Sequence, residues 1–405
     1  MRTGVVGFQG SRLIQARTAR GMTQSALSEL SGVSSPSISK WERGEQFPEP
    51  AALEKVATAL GLPATWFLRA MPDFGKSGYF FRSNTSLTKT ARAIASIRLE
   101  WLHELSASIQ EWIDWPDVNL PVSLSREDAL LLTDEEIEDI ATQCRKHWRL
   151  GMGPIDDVIR VMESAGVITT REPLGYIKMD GVSRWFDAEN RPYVFLAADK
   201  ASSVRSRFDA SHELGHLIMH RHLTKADEEE RYSELERQAH LFASAFLMPA
   251  ESISLELAHP TLDTLQVLKR RWKVSIGAMI MRASTLNLIG EAYTTRLWKN
   301  YSARGWRKGE PLDNVLEPES PRLMPRAIKM LLEQGGFTKP YLIETIGLPA
   351  ADIEQLCSLP EGYMTGEMAT VIQLNSPVFR PAQTSRAETS TELAQVISLP
   401  NRKRM

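Results

Sequence analysis

The segment Ser211-His212-Glu213-Leu214-Gly215-His216-Leu217-Ile218-Met219-His220 sets two histidines four residues apart, with a glutamate beside the first, inside a run of helical hydrophobic periodicity. On a helix, residues i and i+4 share a face, so both imidazoles can bind one Zn2+ and Glu213 is offset to meet a water on that metal. The chain has 8 His in 405 residues. Random ordering would give this spacing in roughly one such chain in a hundred, so the motif needs support from its surroundings. A catalytic zinc requires a third protein ligand and an open position. The next helical pattern, Glu234 to Pro249, has a buried stripe of Leu235, Ala239, Phe242, Ala243 and Phe246. At ~100° per residue Glu236 borders that stripe, whereas Glu234 points away from it. A carboxylate beside a packed seam is costly unless paired or metal-bound, which makes Glu236 the expected third ligand.

From about residue 140 to 250 the chain resembles the ImmA/IrrE family of metallopeptidases. The family signature is HExxH followed by a Glu-x-x-Ala-Asn-x-Phe-Ala helix that ends in Leu-Met-Pro. Here the second part reads Glu236-Arg237-Gln238-Ala239-His240-Leu241-Phe242-Ala243, then Leu247-Met248-Pro249, with His240 where Asn is usual. The resemblance implies zinc bound by His212, His216 and Glu236, with Glu213 as general base and repressors as typical substrates. His240, one turn from Glu236, is open to three roles: orienting that carboxylate, contacting the scissile carbonyl, or crowding the metal. His220 continues the row of His212 and His216 by one turn, and His222 follows. Both are read as outer hydrogen-bonding or structural residues and not as ligands. Tyr232 is open to two readings, a donor to a developing oxyanion or a packing residue.

Near the N-terminus, Thr23 to Ser31, then Gly32-Val33-Ser34, then Ser35 to Gly44 reads as two short helices around a tight turn, with Thr23 and Ser34 as N-caps. Ala26, Leu27, Leu30, Val33, Ile38 and Trp41 are the expected apolar seam. The start of the second helix then faces outward, where short polar side chains reach base edges in a major groove. From about residue 10 to 68 the chain resembles the XRE-type helix-turn-helix family of repressors, including its Thr-Gln start and Trp-Glu-Arg-Gly ending. The resemblance implies that Ser35, Pro36, Ser37 and Lys40 face the groove and that Gln24 lies near the phosphate backbone. Pro36 departs from the pattern, since it offers no donor where a polar side chain is common. Residues 1–70 hold eight Lys and Arg against five Glu. One such mildly basic domain binds DNA weakly, so a homodimer on paired half-sites of a double-stranded operator is expected.

The rest of the composition sets limits. Hydrophobic residues make up 42% and charged residues 24%, and the net charge is -2, so the chain reads as globular with no overall basic field. Two cysteines, Cys144 and Cys357, supply neither a disulfide framework nor a thiolate zinc site. With no secretory signal and no apolar run near the ~20 residues of a membrane span, a cytoplasmic protein without membrane contact is expected. The expected fold is mainly α and multidomain: an all-α helix-turn-helix domain (1–70), a connector with a helix (71–125), an α+β zincin-like domain with a small β-sheet (126–300), a small helical region (301–375) and a disordered tail (376–405). Strands are expected near 166–171, 176–186 and 192–197. The last of these, Arg191 to Leu196, is expected to align an extended substrate by edge pairing. Together these features predict a DNA-binding transcriptional regulator with a zinc-dependent endopeptidase that acts on a repressor or antitoxin-type partner, or on its own 71–86 connector. The alternative is a non-catalytic DNA-binding repressor or antitoxin whose zincin fold is a sensor or a protein-binding module.

Overall fold

The computed structural model describes residues 4–75, 77–83, 88–173, 179–198 and 202–366. The tail expected at 376–405 lies outside the described residues, as does the start of the strand expected from Tyr176. Four helices come first: α1 (Gly10–Ala19), α2 (Gln24–Ser31), α3 (Ser35–Glu42) and α4 (Pro50–Leu60). Their ends follow local chemistry. Thr23 accepts from the Ala26 N–H and Ser34 from the Ser37 N–H, while Gly32 closes α2 in the left-handed region at φ 68°. Leu27, Ile38 and Trp41 are buried as expected, and Leu13, Leu53, Val56, Leu60 and Leu62 are buried with them. Leu30 is 59% exposed, and Ala26 also faces solvent. In an eight-residue helix one inward position, Leu27, makes the core contact. Residues 26 and 30 both lie ~60–100° to the same side of it and turn outward.

After the connector strand β1 (Phe80–Ser83) come α5 (Lys89–Gln110), α6 (Arg126–Leu130), α7 (Asp134–His147) and α8 (Val158–Ser164). Three strands follow, β2 (Ile168–Glu172), β3 (Met179–Phe186) and β4 (Arg191–Ala197), and then α9 (Ser203–Met219) and α10 (Lys225–Leu247). The chain continues through α11 (Ala250–Glu256), α12 (Leu262–Trp272), α13 (Ile276–Thr285), α14 (Glu291–Ala303), α15 (Leu323–Glu333), α16 (Lys339–Ile346) and α17 (Ala350–Leu356). α12 and α13 are separated where Lys273 takes a left-handed φ of 52°. Among the described residues the chain is thus mainly α-helical, with an all-α N-terminal segment and one four-stranded sheet.

The sheet order is β1-β3-β4-β2, with β1 and β4 antiparallel to β3 and β2 parallel to β4. Period-two alternation sends Tyr193 and Phe195 into a core shared with α1–α5 and α15–α17, and Val194 and Leu196 into a second core under α9, α10, α12 and α13. Both faces are covered, so β3 and β4 are buried almost throughout. The expected edge role of Arg191 to Leu196 is therefore corrected. β4 is an interior strand with neighbours on both sides, and the edge beside β3 is taken by β1 from the connector.

One buried ion cluster joins distant parts of the first core. Arg98 of α5 donates to Glu172 of β2 and to Asp352 of α17, while Arg20, which caps the end of α1, donates to both oxygens of Asp352. Arg98, Glu172 and Asp352 have side chains at most 5% exposed. Arg98→Met leaves the buried Glu172 without its cation, while Asp352 keeps only Arg20. It should cost about 3–5 kcal/mol in chemical denaturation, and a loss below 1 kcal/mol would contradict the cluster's structural role.

Candidate metal centre

α9 lies on β3 and β4, and α10 lies against α9. The approach of the two helices depends on Gly215 inside the HExxH segment, because a Cβ there would sit 2.9 Å from the Phe242 ring of α10. With the helices this close, Glu236 reaches the histidine face of α9. His212 Nε2 and His216 Nε2 are 3.0 Å apart, Glu236 Oε1 is 3.1 Å from His216 Nε2, and Glu236 Oε2 is 3.5 Å from His212 Nε2. A tetrahedral zinc with bonds of ~2.0–2.1 Å needs donors ~3.3 Å apart, so these three groups form one face of such a polyhedron.

The surrounding hydrogen bonds fix which imidazole nitrogen carries the proton. Glu234 is held below the usual carboxylate range by its hydrogen bonds with Arg237, so it accepts from the Gln238 amide. Gln238 Oε1 then faces His220 Nε2 at 2.8 Å and accepts its proton. Burial, with His216 alongside, pushes His220 down to about 3, so it stays neutral and its Nδ1 is an acceptor. That nitrogen lies 2.9 Å from His216 Nδ1, which must donate. His216 Nε2 is left with its lone pair directed at His212 and Glu236. Burial opposes charge on Glu236, but the two imidazoles outweigh it and hold the carboxylate below its usual range. Three electron-pair donors facing one point suit a divalent cation, and the residues present fit zinc.

Glu213 is fully buried on α9. A Cβ at residue 181 of β3 would lie 2.9 Å from its Oε1, so glycine there makes room for the carboxylate. The connector covers the same flank: the β1 backbone at Arg82 pairs with Gly181, and Phe80 stacks on the His216 ring with centroids 5.0 Å apart. On the opposite flank His240 is exposed, its ring edge-on to His212 at 4.6 Å and its Nδ1 donating to the Glu236 carbonyl oxygen at 3.1 Å. His240 is therefore bonded to the backbone of Glu236 and not to its carboxylate. His222 is exposed and faces Ser123, and Tyr232 is half-buried beside a kink in α10 at Arg231. The expected DNA contacts lie apart, on α2 and α3. Pro36 and Lys40 are exposed, and Ser35 and Ser37 are half-buried with Ser37 Oγ bonded to Ser34 Oγ. Gln24 donates to Glu42, which also holds Arg17. Sequence reasoning missed Gln238, Gly181 and Phe80. Only Gln238 left a usable signal, as an amide next to the apolar stripe of α10.

Residues 162–284 match the family model described as the IrrE N-terminal-like domain of peptidases, and residues 13–67 match the helix-turn-helix model. The chain fuses a helix-turn-helix domain to an ImmA/IrrE-family peptidase domain. No curated protein matches the chain. All three clustered donors of the IrrE-like domain, and the Gln238–His220 pair behind them, fall within the matched residues. Gln238→Leu removes the acceptor that orients His220 and should weaken zinc affinity ~10–100-fold in chelator competition, whereas Gln238→Glu keeps an acceptor and most of the affinity. Equal affinities for wild type and Gln238→Leu would contradict the relay.

Proposed function

We propose that this protein is a DNA-binding regulator whose IrrE-like domain is a zinc-dependent endopeptidase acting on a partner protein of the repressor or antitoxin type. The observation that carries the reading is the convergence of His212, His216 and Glu236 with the buried Glu213 on the same helix turn as His212. In this reading His212, His216 and Glu236 hold the metal, which when bound supplies Lewis-acid polarisation of the amide carbonyl and acidifies water. Glu213 accepts the proton of the attacking water and passes it to the leaving amine. Its pocket between α9 and Gly181 excludes bulk solvent and limits the carboxylate to few orientations. Solvent and substrate approach from the side of Glu236, 17% exposed, and His240, since His212, His216 and His220 are at most 1% exposed. A partner is favoured over the chain's own connector because Phe80 and Phe81 are buried and β1 is paired in register with β3, so self-cleavage there would have to undo the sheet edge.

For the helix-turn-helix we propose that Lys40 and the exposed start of α3 meet an operator, with two copies of the chain on paired half-sites. The amides and hydroxyls at Gln24, Ser35 and Ser37 serve positioning, and Pro36 contributes shape only. No helix of the described residues is long and apolar enough to cross a membrane.

The peptidase reading is tested by zinc content together with cleavage of co-expressed candidate repressors. Glu213→Gln should retain stoichiometric zinc and lose ~10²-fold or more in turnover. A variant that cleaves as fast as wild type would move the domain to a binding role. Lys40→Ala should weaken duplex binding and lower the slope of log affinity against log salt by about 1. An unchanged slope would remove Lys40 from the interface.

A further inference from the structure

On the His240 side of the metal centre the protein surface opens into a cleft of about 640 Å³. Phe208 of α9, one turn before His212, forms one wall with His240, and Met281 of α13, Trp298 of α14 and Trp306 form the other. The matched IrrE-like segment ends at residue 284, so the two tryptophans are supplied by chain beyond it. The far wall is rigid. Glu310 accepts from the Ile276 and Gly277 amides, the Tyr301 hydroxyl and the buried Lys269 ammonium, which locks the start of α13 to the end of α14. A cleft held open in this way loses little conformational freedom on filling. Its size and apolar lining are those of a site for side chains and not for water.

The rim carries a sign. Asp134 is paired with Arg237, and Glu310 and Asp313 are paired with Lys269, whereas Arg307 and Lys308 stand exposed at the mouth. Phe80 of the connector covers the His216 ring while His240 lies edge-on to His212, so a chain laid across the three donors from the side of the part-exposed Glu236 and the exposed His240 projects side chains into this cleft.

We propose that the cleft is the specificity pocket of the centre, taking a bulky apolar side chain of an extended peptide next to the scissile bond, with acidic residues of the same peptide on Arg307 and Lys308. The proposal rests on the peptidase reading and names its substrate class. Met281 is 53% exposed, so it can be changed without disturbing the core.

The test uses fluorescent acid-flanked peptides that differ only in a central Phe, Leu, Ala or Lys. They are titrated into the zinc-loaded full chain carrying Glu213→Gln, and in parallel incubated with the zinc-loaded wild type and followed by mass spectrometry. The Phe and Leu peptides should bind at least ~10-fold more tightly than the Ala and Lys peptides, and added Met281→Glu should reduce that preference below ~3-fold. Equal binding of all four peptides, binding of none, or a preference unchanged in both Met281→Glu and Trp298→Ala would overturn the pocket. Preferential binding without cleavage by the wild type would uphold the pocket and remove the peptidase reading. Cleavage indifferent to the central residue would do the reverse.

Discussion

The contact between Gly215 and Phe242 is the constraint on which the centre depends. Two histidines on one helix face can grip a cation only from one side, and the third donor has to come from another element at the right height. The absence of a side chain at Gly215 lets Phe242 press into α9, and Glu236, six residues before Phe242, is carried to within hydrogen-bonding reach of His216. A methyl group at 215 would meet the ring at 2.9 Å and push the two helices apart. That displacement would act directly on the distances among the donors, whose mutual spacing is close to a tetrahedral edge.

The sheet does a second job by separating two cores while tying the N-terminal helices to the site. One face packs on α5, α15 and α17, with the helix-turn-helix joined to that core through α1 on α5, and the other face packs on α9 and its neighbours. Arg98 and Arg20 add a polar link from α1 through Asp352 to β2. The connector that leaves the helix-turn-helix enters this sheet as β1 and places Phe80 on His216. The helix-turn-helix and the metal centre therefore lie in two cores on opposite faces of one sheet, and the strand β1 links them.

Much of this was legible in the sequence because it is local. The histidine spacing, the position of Glu236 on the rim of an apolar stripe, and the caps at Thr23 and Ser34 depend on helix geometry alone, and all appear where periodicity puts them. What periodicity could not supply is how strands pair. Arg191 to Leu196 has the composition of any buried strand, and nothing in it states that β2 and β3 flank it. Phe80 and Phe81 are too short a run to announce a strand until β3 offers its edge. Leu30 misled because an amphipathic pattern gives the apolar face its direction but not its width. The Gln238–His220 relay was hidden for a different reason, since its meaning comes from the tautomer it imposes across two helices.

X-ray absorption at the zinc edge of the reconstituted protein probes the central claim most directly, because it counts and identifies the donor atoms. Two imidazole nitrogens and two oxygens at ~2.0–2.1 Å, in a four-coordinate shell, are expected from His212, His216, Glu236 and one solvent position. A sulfur contribution, or a six-coordinate all-oxygen shell, would contradict it, since neither can come from these three side chains.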